Sequence, residues 1–163
     1  MERGLAIRQQ LQSGNGCCFD TQITADYGNQ VYQFSLSCET DSLGNLSFTV
    51  KEPETISDIS GRIDSSGGNL LFDAHILAFP LMADEQISPV SAPWILIRTL
   101  LGGYLSSWGQ DGAYLRLTMD DSFDEDALQV DIWLDEEDVP VRAEILFDGR
   151  RILSLDVKNF VYQ

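Results

Sequence analysis

The 163 residues are enough for one domain with a real core, and an apolar fraction of 44% excludes a globally disordered chain. Ten Lys and Arg stand against 26 Asp and Glu, a net charge of −16, which argues against nucleic acid and against a polybasic hold on anionic lipid. Three cysteines, with no CxxC pair or histidine cluster, and a single histidine, His75, leave zinc and the Ser-His-Asp and Cys-His mechanisms without their residues. No metal or other cofactor is therefore expected.

In chain order, residues 2–12 read as a short helix with Leu5, Ile7 and Leu11 near one side, stopped by Ser13-Gly14-Asn15-Gly16. From Cys17 the apolar period becomes two. Cys17, Phe19, Thr21, Ile23 and Ala25 share one face, and beyond Tyr27-Gly28 so do Tyr32, Phe34, Leu36 and Cys38, which is a hairpin pattern. With Tyr27-Gly28 as its two-residue loop, Phe19 faces Leu36 and Cys17 faces Cys38, close enough for a disulfide after modest adjustment. Two buried thiols, or a bridge through Cys18, fit the same residues. Leu46, Phe48 and Val50 make a third strand ended by Pro53, and Ile56, Ile59, Gly61 and Ile63 a fourth. Asn69 to Phe79 reads as one fifth strand with apolar contact on both faces, and 80–90 as a loop.

The stretch 91–105 breaks this strand pattern. Ser91 suits an N-cap and Pro93 the first helical turn, and Trp94, Ile97, Leu101 and Tyr104 form a stripe at helical spacing. Only Arg98 and Thr99 interrupt the apolar surface. A helix apolar nearly all round is buried, and this one is too short to span a membrane, so the spacing predicts a helix enclosed by sheet, starting after Ser91 and ending at Gly102-Gly103 or a turn later at Ser106-Ser107. Leu115, Leu117 and Met119, then Leu128 to Leu134, then Val141 to Phe147 and Arg151 to Phe160 supply the last strands. Matching apolar faces in the last hairpin requires a bulge. The sum is about nine antiparallel strands.

Ten acids and no base lie between Arg116 and Arg142. Asp120, Ser122, Asp124 and Asp131 fit four ligand positions of a calcium loop. The obligatory glycine position is Glu125, however, and the flanks are strands, so the acids read as solvated hairpin loops. Paired catalytic carboxylates need two acids held across a cleft; only Asp73 and Asp156, at strand centres, are candidates for an acid alone on an apolar face, and dinucleotide and P-loop motifs are absent. No enzyme is expected.

Several stretches together resemble a known family: Phe19-x-x-x-Ile23-x-Ala25-Asp26-Tyr27, Phe48-Thr49-Val50-Lys51-Glu52-Pro53, the mid-chain apolar helix, the run Pro140-Val141-Arg142-Ala143-Glu144-Ile145 and the closing Lys158-Asn159-Phe160-Val161-Tyr162. In that order they resemble the LolA/LolB-like lipoprotein carrier and receptor superfamily, in the form of small Gram-positive envelope lipoproteins. The resemblance implies an α+β fold, mostly antiparallel β, in which a strongly curved, unclosed half-barrel of about nine or more strands carries plug helices on its concave face. It implies one domain over 1–163, exported to the cell envelope, monomeric, and tethered through a lipidated cysteine removed from this sequence. Its ligand would be a lipid or a lipoprotein acyl chain held between sheet and helix, lined by Phe34, Leu36, Phe48, Trp94, Ile97, Leu101 and Leu117. Arg98 would serve as the lid arginine and Leu81-Met82 as the receptor-type loop. The residues leave a second reading open: an interaction domain with a solid core that works through its acidic surface.

Overall fold

The computed structural model describes residues 2–72, 75–79, 82–83 and 86–163, with only the backbone given for Phe72, 75–79, 82–83 and 86–87. Helix α1 (Glu2–Ser13) buries Ile7 and Leu11, one helical turn apart on the same face, while Leu5 is 52% exposed and lies off that face. Gly16 ends the run at φ +108°, and a Cβ there would lie 1.8 Å from the Thr40 carbonyl oxygen, so only glycine fits the turn into the sheet.

Two antiparallel meanders follow. The first is β1 (Cys17–Asp26), β2 (Val31–Thr40), β3 (Leu46–Glu52), β4 (Ser60–Asp64), β5 (Gly67–Phe72) and β6 (His75–Phe79). The second is β9 (Tyr104–Asp111), β10 (Tyr114–Asp120), β11 (Gln129–Leu134), β12 (Pro140–Phe147) and β13 (Arg150–Tyr162), with a separate two-residue pair, β7 (Met82–Ala83) and β8 (Gln86–Ile87), before them. β1 pairs with β13, fusing both meanders into one eleven-stranded sheet in the order β6-β5-β4-β3-β2-β1-β13-β12-β11-β10-β9. The ends of this order are β6 and β9, so the sheet is unclosed. Among the described residues no helix is long and apolar enough to cross a membrane.

This order explains the apolar helix. After β6 the chain stands at one edge of the sheet, and its next long strand, β9, forms the opposite edge. The connection must cross the sheet. It does so with α2 (Ala92–Gly102), which packs against α1, β11 and β13 on the face that carries the core. A segment trapped between sheet and helix is excluded from water on all sides except that of Arg98, which accounts for its continuous apolar surface. The architecture is the curved α+β half-barrel with helices on its inner face.

Three details differ from the sequence expectation. The fifth strand is a hairpin, β5 against β6 with Phe72 opposite His75, so its two-sided apolar pattern belongs to two strands. The first hairpin has a four-residue loop, Tyr27–Gln30, closed by Tyr27 N–H to the Gln30 carbonyl (3.0 Å) and by Gly28 N–H to Asp26 Oδ1 (2.8 Å). That moves the register by two, placing Cys38 opposite Phe19 and Thr40 opposite Cys17. Ser91 is helical and its side chain makes no cap; a 3₁₀ turn, Pro89–Ser91, runs straight into α2 instead. The helix ends at Gly102, the earlier of its two expected ends, because Tyr104 and Leu105 already belong to β9. The Asp120 carbonyl oxygen would lie 2.9 Å from any Cβ at Gly103, so only glycine admits the β10 backbone there. The expected bulge in the last hairpin is present between Ile145 and Leu146.

Candidate functional site

The expected site lies between α2 and the sheet, and the structure brings most of its residues together there. Leu36, Phe48, Trp94, Ile97 and Leu117 are all buried in one core, with Phe34 and Leu101 packed at its margin. The contacts are close. A Cβ at Gly44, in the β2–β3 turn, would lie 2.8 Å from Leu101 Cδ1 and 3.9 Å from Ile97 Cγ2, so the helix sits directly on that turn. A Cβ at Gly4 would lie 3.5 Å from Leu117 Cδ1, which puts α1 on β10. The Phe48 ring fills the space a side chain at Gly61 would need, 2.4 Å from its Cζ. Ile97 has 0% exposure, which leaves no water-sized space beside it. Among the described residues, the place between α2 and the sheet is occupied by side chains of the chain itself.

Arg98 does not enter that interior. It is exposed, with its guanidinium carbon 5.1 Å from the Trp94 ring centroid, one helical turn away. The lid role is not what this position provides; Arg98 marks the outer face of the helix and covers Trp94. A different arginine fastens the helices. Arg8 on α1 donates from Nε to the Leu100 carbonyl (2.8 Å) and from a terminal nitrogen to the Gly103 carbonyl (2.6 Å), satisfying the C-terminal end of α2. Two hydroxyls on the buried side, Ser91 Oγ and Thr99 Oγ1, meet no polar partner among the described residues.

The cysteines are free thiols. The bridge expected between Cys17 and Cys38 is not formed, because the four-residue loop puts Thr40 where Cys38 was expected. Thr40 Oγ1 accepts the Cys17 N–H (3.1 Å) and lies 3.2 Å from its sulfur. Burial pushes the Cys17 thiol up to about 11, against the lowering effect of the Thr40 hydrogen bond. Burial likewise holds Cys38 well above the ordinary thiol range. Both are inert in the sense that nucleophilic chemistry requires.

The acidic loops are self-contained turns. Asp121 Oδ1 accepts the Leu128 N–H (2.8 Å), and Asp135 Oδ1 accepts the N–H groups of Glu137 (2.9 Å) and Val139 (3.0 Å). Asp138 is paired with Arg3. Among the described residues no three His, Cys, Asp or Glu side chains are set to hold a metal ion. Asp156 is exposed, while Asp73, the His75 side chain and Leu81-Met82 lie outside the described residues or side chains.

Two surface features were not anticipated. A trough of about 840 Å³ crosses β1 to β5 on the face turned away from the helices. It is lined by two rows of cross-strand partners, Glu39-Ser47-Arg62 on one side and Asp20-Ser37-Thr49-Ser60 on the other. Asp20 is held below the usual carboxylate range by hydrogen bonds from Asn159 (2.9 Å) and Ser37 (2.8 Å). The second feature is the rim formed by β9, where Trp108 is 59% exposed and Tyr104 42%, with Phe123, 82% exposed, in ring contact with Tyr104. The sequence did carry a signal for β9: Asp111-Gly112 between apolar residues marks a hairpin. The exposure of both β9 faces removed the alternation that would have supported it.

No family model matches the chain, and no curated protein matches it. Solved structures do. It is similar to an uncharacterized conserved protein from Thermus thermophilus, with a TM-score of 0.53 and 10% identity over 99% of this chain and 86% of that one. It is also similar to a DUF1329 family protein from Desulfovibrio piger (TM-score 0.50, 8% identity, 99% of this chain and 91% of that one). A domain from Vibrio parahaemolyticus named for outer membrane lipoprotein sorting matches at TM-score 0.50 and 10% identity, over 99% of this chain and 93% of that one. The likeness spans the helices and the whole sheet, and the fold is LolA-like.

Proposed function

We propose that this chain is a non-catalytic binding protein of the cell envelope that works through its surface, with the interior of its half-barrel closed by its own side chains. The observation that carries this reading is the burial of Leu36, Ile97 and Leu117 at the place where the fold would hold a ligand. Three further surface grooves are also lined by none of Trp94, Ile97 or Leu101. The envelope location rests on the kinship of fold with the lipoprotein-sorting domain.

A hydrophobic ligand between sheet and helix is the second reading. The partnerless hydroxyls of Ser91 and Thr99 favour it, since a buried hydroxyl without a hydrogen bond costs about 1–3 kcal/mol and would be relieved if α2 moved or a polar headgroup approached. Titration of palmitate into methyl-labelled protein separates the two. The surface reading predicts unchanged methyl resonances for Ile97, Leu101 and Leu117; saturable shifts at these three methyls would overturn it in favour of an acyl ligand.

A further inference from the structure

We propose that β9 is a docking edge for a partner protein, which adds an extended segment of alternating basic and apolar residues to the sheet as a twelfth strand. The inference rests on the reading that this domain works through its surface, and it names the chemistry of the partner.

β9 is the last strand of the order, eight residues long, and among the described residues no strand pairs with its outer side. An unpaired edge presents a row of backbone donors and acceptors, which proteins normally guard with lysine, proline or cover. β9 contains no lysine, arginine or proline. Its one irregularity, at Ser106, lies near its start, where the Ser106 hydroxyl donates to the Thr118 carbonyl (3.0 Å); Ser107 to Asp111 pair regularly with β10. Those residues are open to a further strand.

The two faces of β9 call for different side chains. Leu105 and Trp108 are the cross-strand partners of Met119 and Leu117, both core residues, so they lie on the inner face and extend the core to the rim. An incoming strand would place apolar residues there. Tyr104 lies beside Asp120 on the other face, and Asp111 ends the strand on that same face. The nearest cation, Arg116, is turned toward β11: it pairs with Asp131, and its guanidinium carbon is 5.2 Å from the Trp133 ring centroid. Asp111 accepts the Trp133 indole N–H (2.8 Å). The outer face of the edge is therefore acidic at both ends, and basic residues on the incoming strand complement it.

A second copy is a poor occupant. A second copy would bring its own Asp111 and Asp120 to the same edge, on a chain of net charge −16. Like charges so placed disfavour the pair.

The test uses the intact chain, isotope-labelled, with a capped octapeptide of alternating lysine and valine as probe and its glutamate–valine counterpart as control. The expected result is saturable shifts in β9 and at least tenfold slower amide exchange within Ser107 to Gln110, lost with the control peptide and weakened at least tenfold by 0.5 M salt. Trp108→Lys, an exposed position whose variant should keep the parent melting temperature, is expected to weaken binding at least tenfold; if that variant is misfolded, Leu105→Lys takes its place. Shifts confined to 121–126 and 135–138 would overturn the edge while leaving a surface function standing, and absence of any shift would overturn docking of this chemistry. Sedimentation showing self-association, with β9 protected in the absence of peptide, would assign the edge to a second copy and overturn the proposal. Failure of the surface reading itself registers separately, in the palmitate titration.

Discussion

Cys17 and Cys38 show how little a residue's type says until its neighbours are known. On sequence they were candidates for a bridge; in the fold each is a thiol kept protonated by burial. That has a consequence for stability. Their folded values lie above the unfolded thiol value of about 8.5, so the contribution is fully present below that pH and is lost as pH rises toward and through the folded values. Unfolding by urea followed from pH 8 to 11 should show the native chain losing at least about 2 kcal/mol more stability than a Cys17→Ala/Cys38→Ala chain, the share of Cys17 alone. Equal losses in the two chains would show that the thiols are not desolvated. The misplaced pairing came from a loop length. Asp26 and Gln30 close a four-residue turn, and nothing in Tyr27-Gly28 distinguishes that from a two-residue one.

At the scale of elements, the strands were legible wherever one face meets the core and the other meets water, as in β1, β3 and β10, whose buried residues alternate without a break. Legibility failed where that contrast fails. β9 is exposed on both faces, and β5 and β6 merged into one apolar run. The apolar helix was recognised, with its buried residues Trp94 and Ile97, but its end was left between Gly102-Gly103 and Ser106-Ser107. A buried helix and the strand that follows it share an apolar composition, and the close backbone approach at Gly103 fixes the boundary at the glycine pair. Arg8 was invisible as a functional candidate because its partners are carbonyl groups 92 and 95 residues away in sequence. Arg8→Ala should cost about 2–3 kcal/mol, the usual value of charge-assisted hydrogen bonds to partly buried carbonyls, and should raise amide exchange in α1 before it does so in β1. Arg8→Lys should recover only part of this, since one ammonium does not reproduce the two-pronged contact. A melting temperature unchanged in Arg8→Ala would show that the helices are held by packing alone.

At the scale of the whole molecule, the topology decides what the apolar helix is for. A sheet whose successive meanders end at opposite edges needs a connection across its inner face, and α2 is that connection. The same crossing that could plug a ligand cavity here completes a core, in which Ile97 reaches the β2–β3 turn and α1 reaches β10. The resemblance seen in the sequence thus identified the architecture, while the filling of the interior depends on side-chain fit that no pattern of apolar residues displays. What remains open to partners is the outer trough, the acidic turns and the β9 rim. Native mass spectrometry of the protein isolated from a bacterial envelope, with organic extraction of the same sample, tests this directly. A filled interior predicts a single species at the mass of the polypeptide with no acyl lipid in the extract; a stoichiometric lipid adduct that is lost on extraction and absent from Ile97→Trp protein of unchanged stability would contradict it.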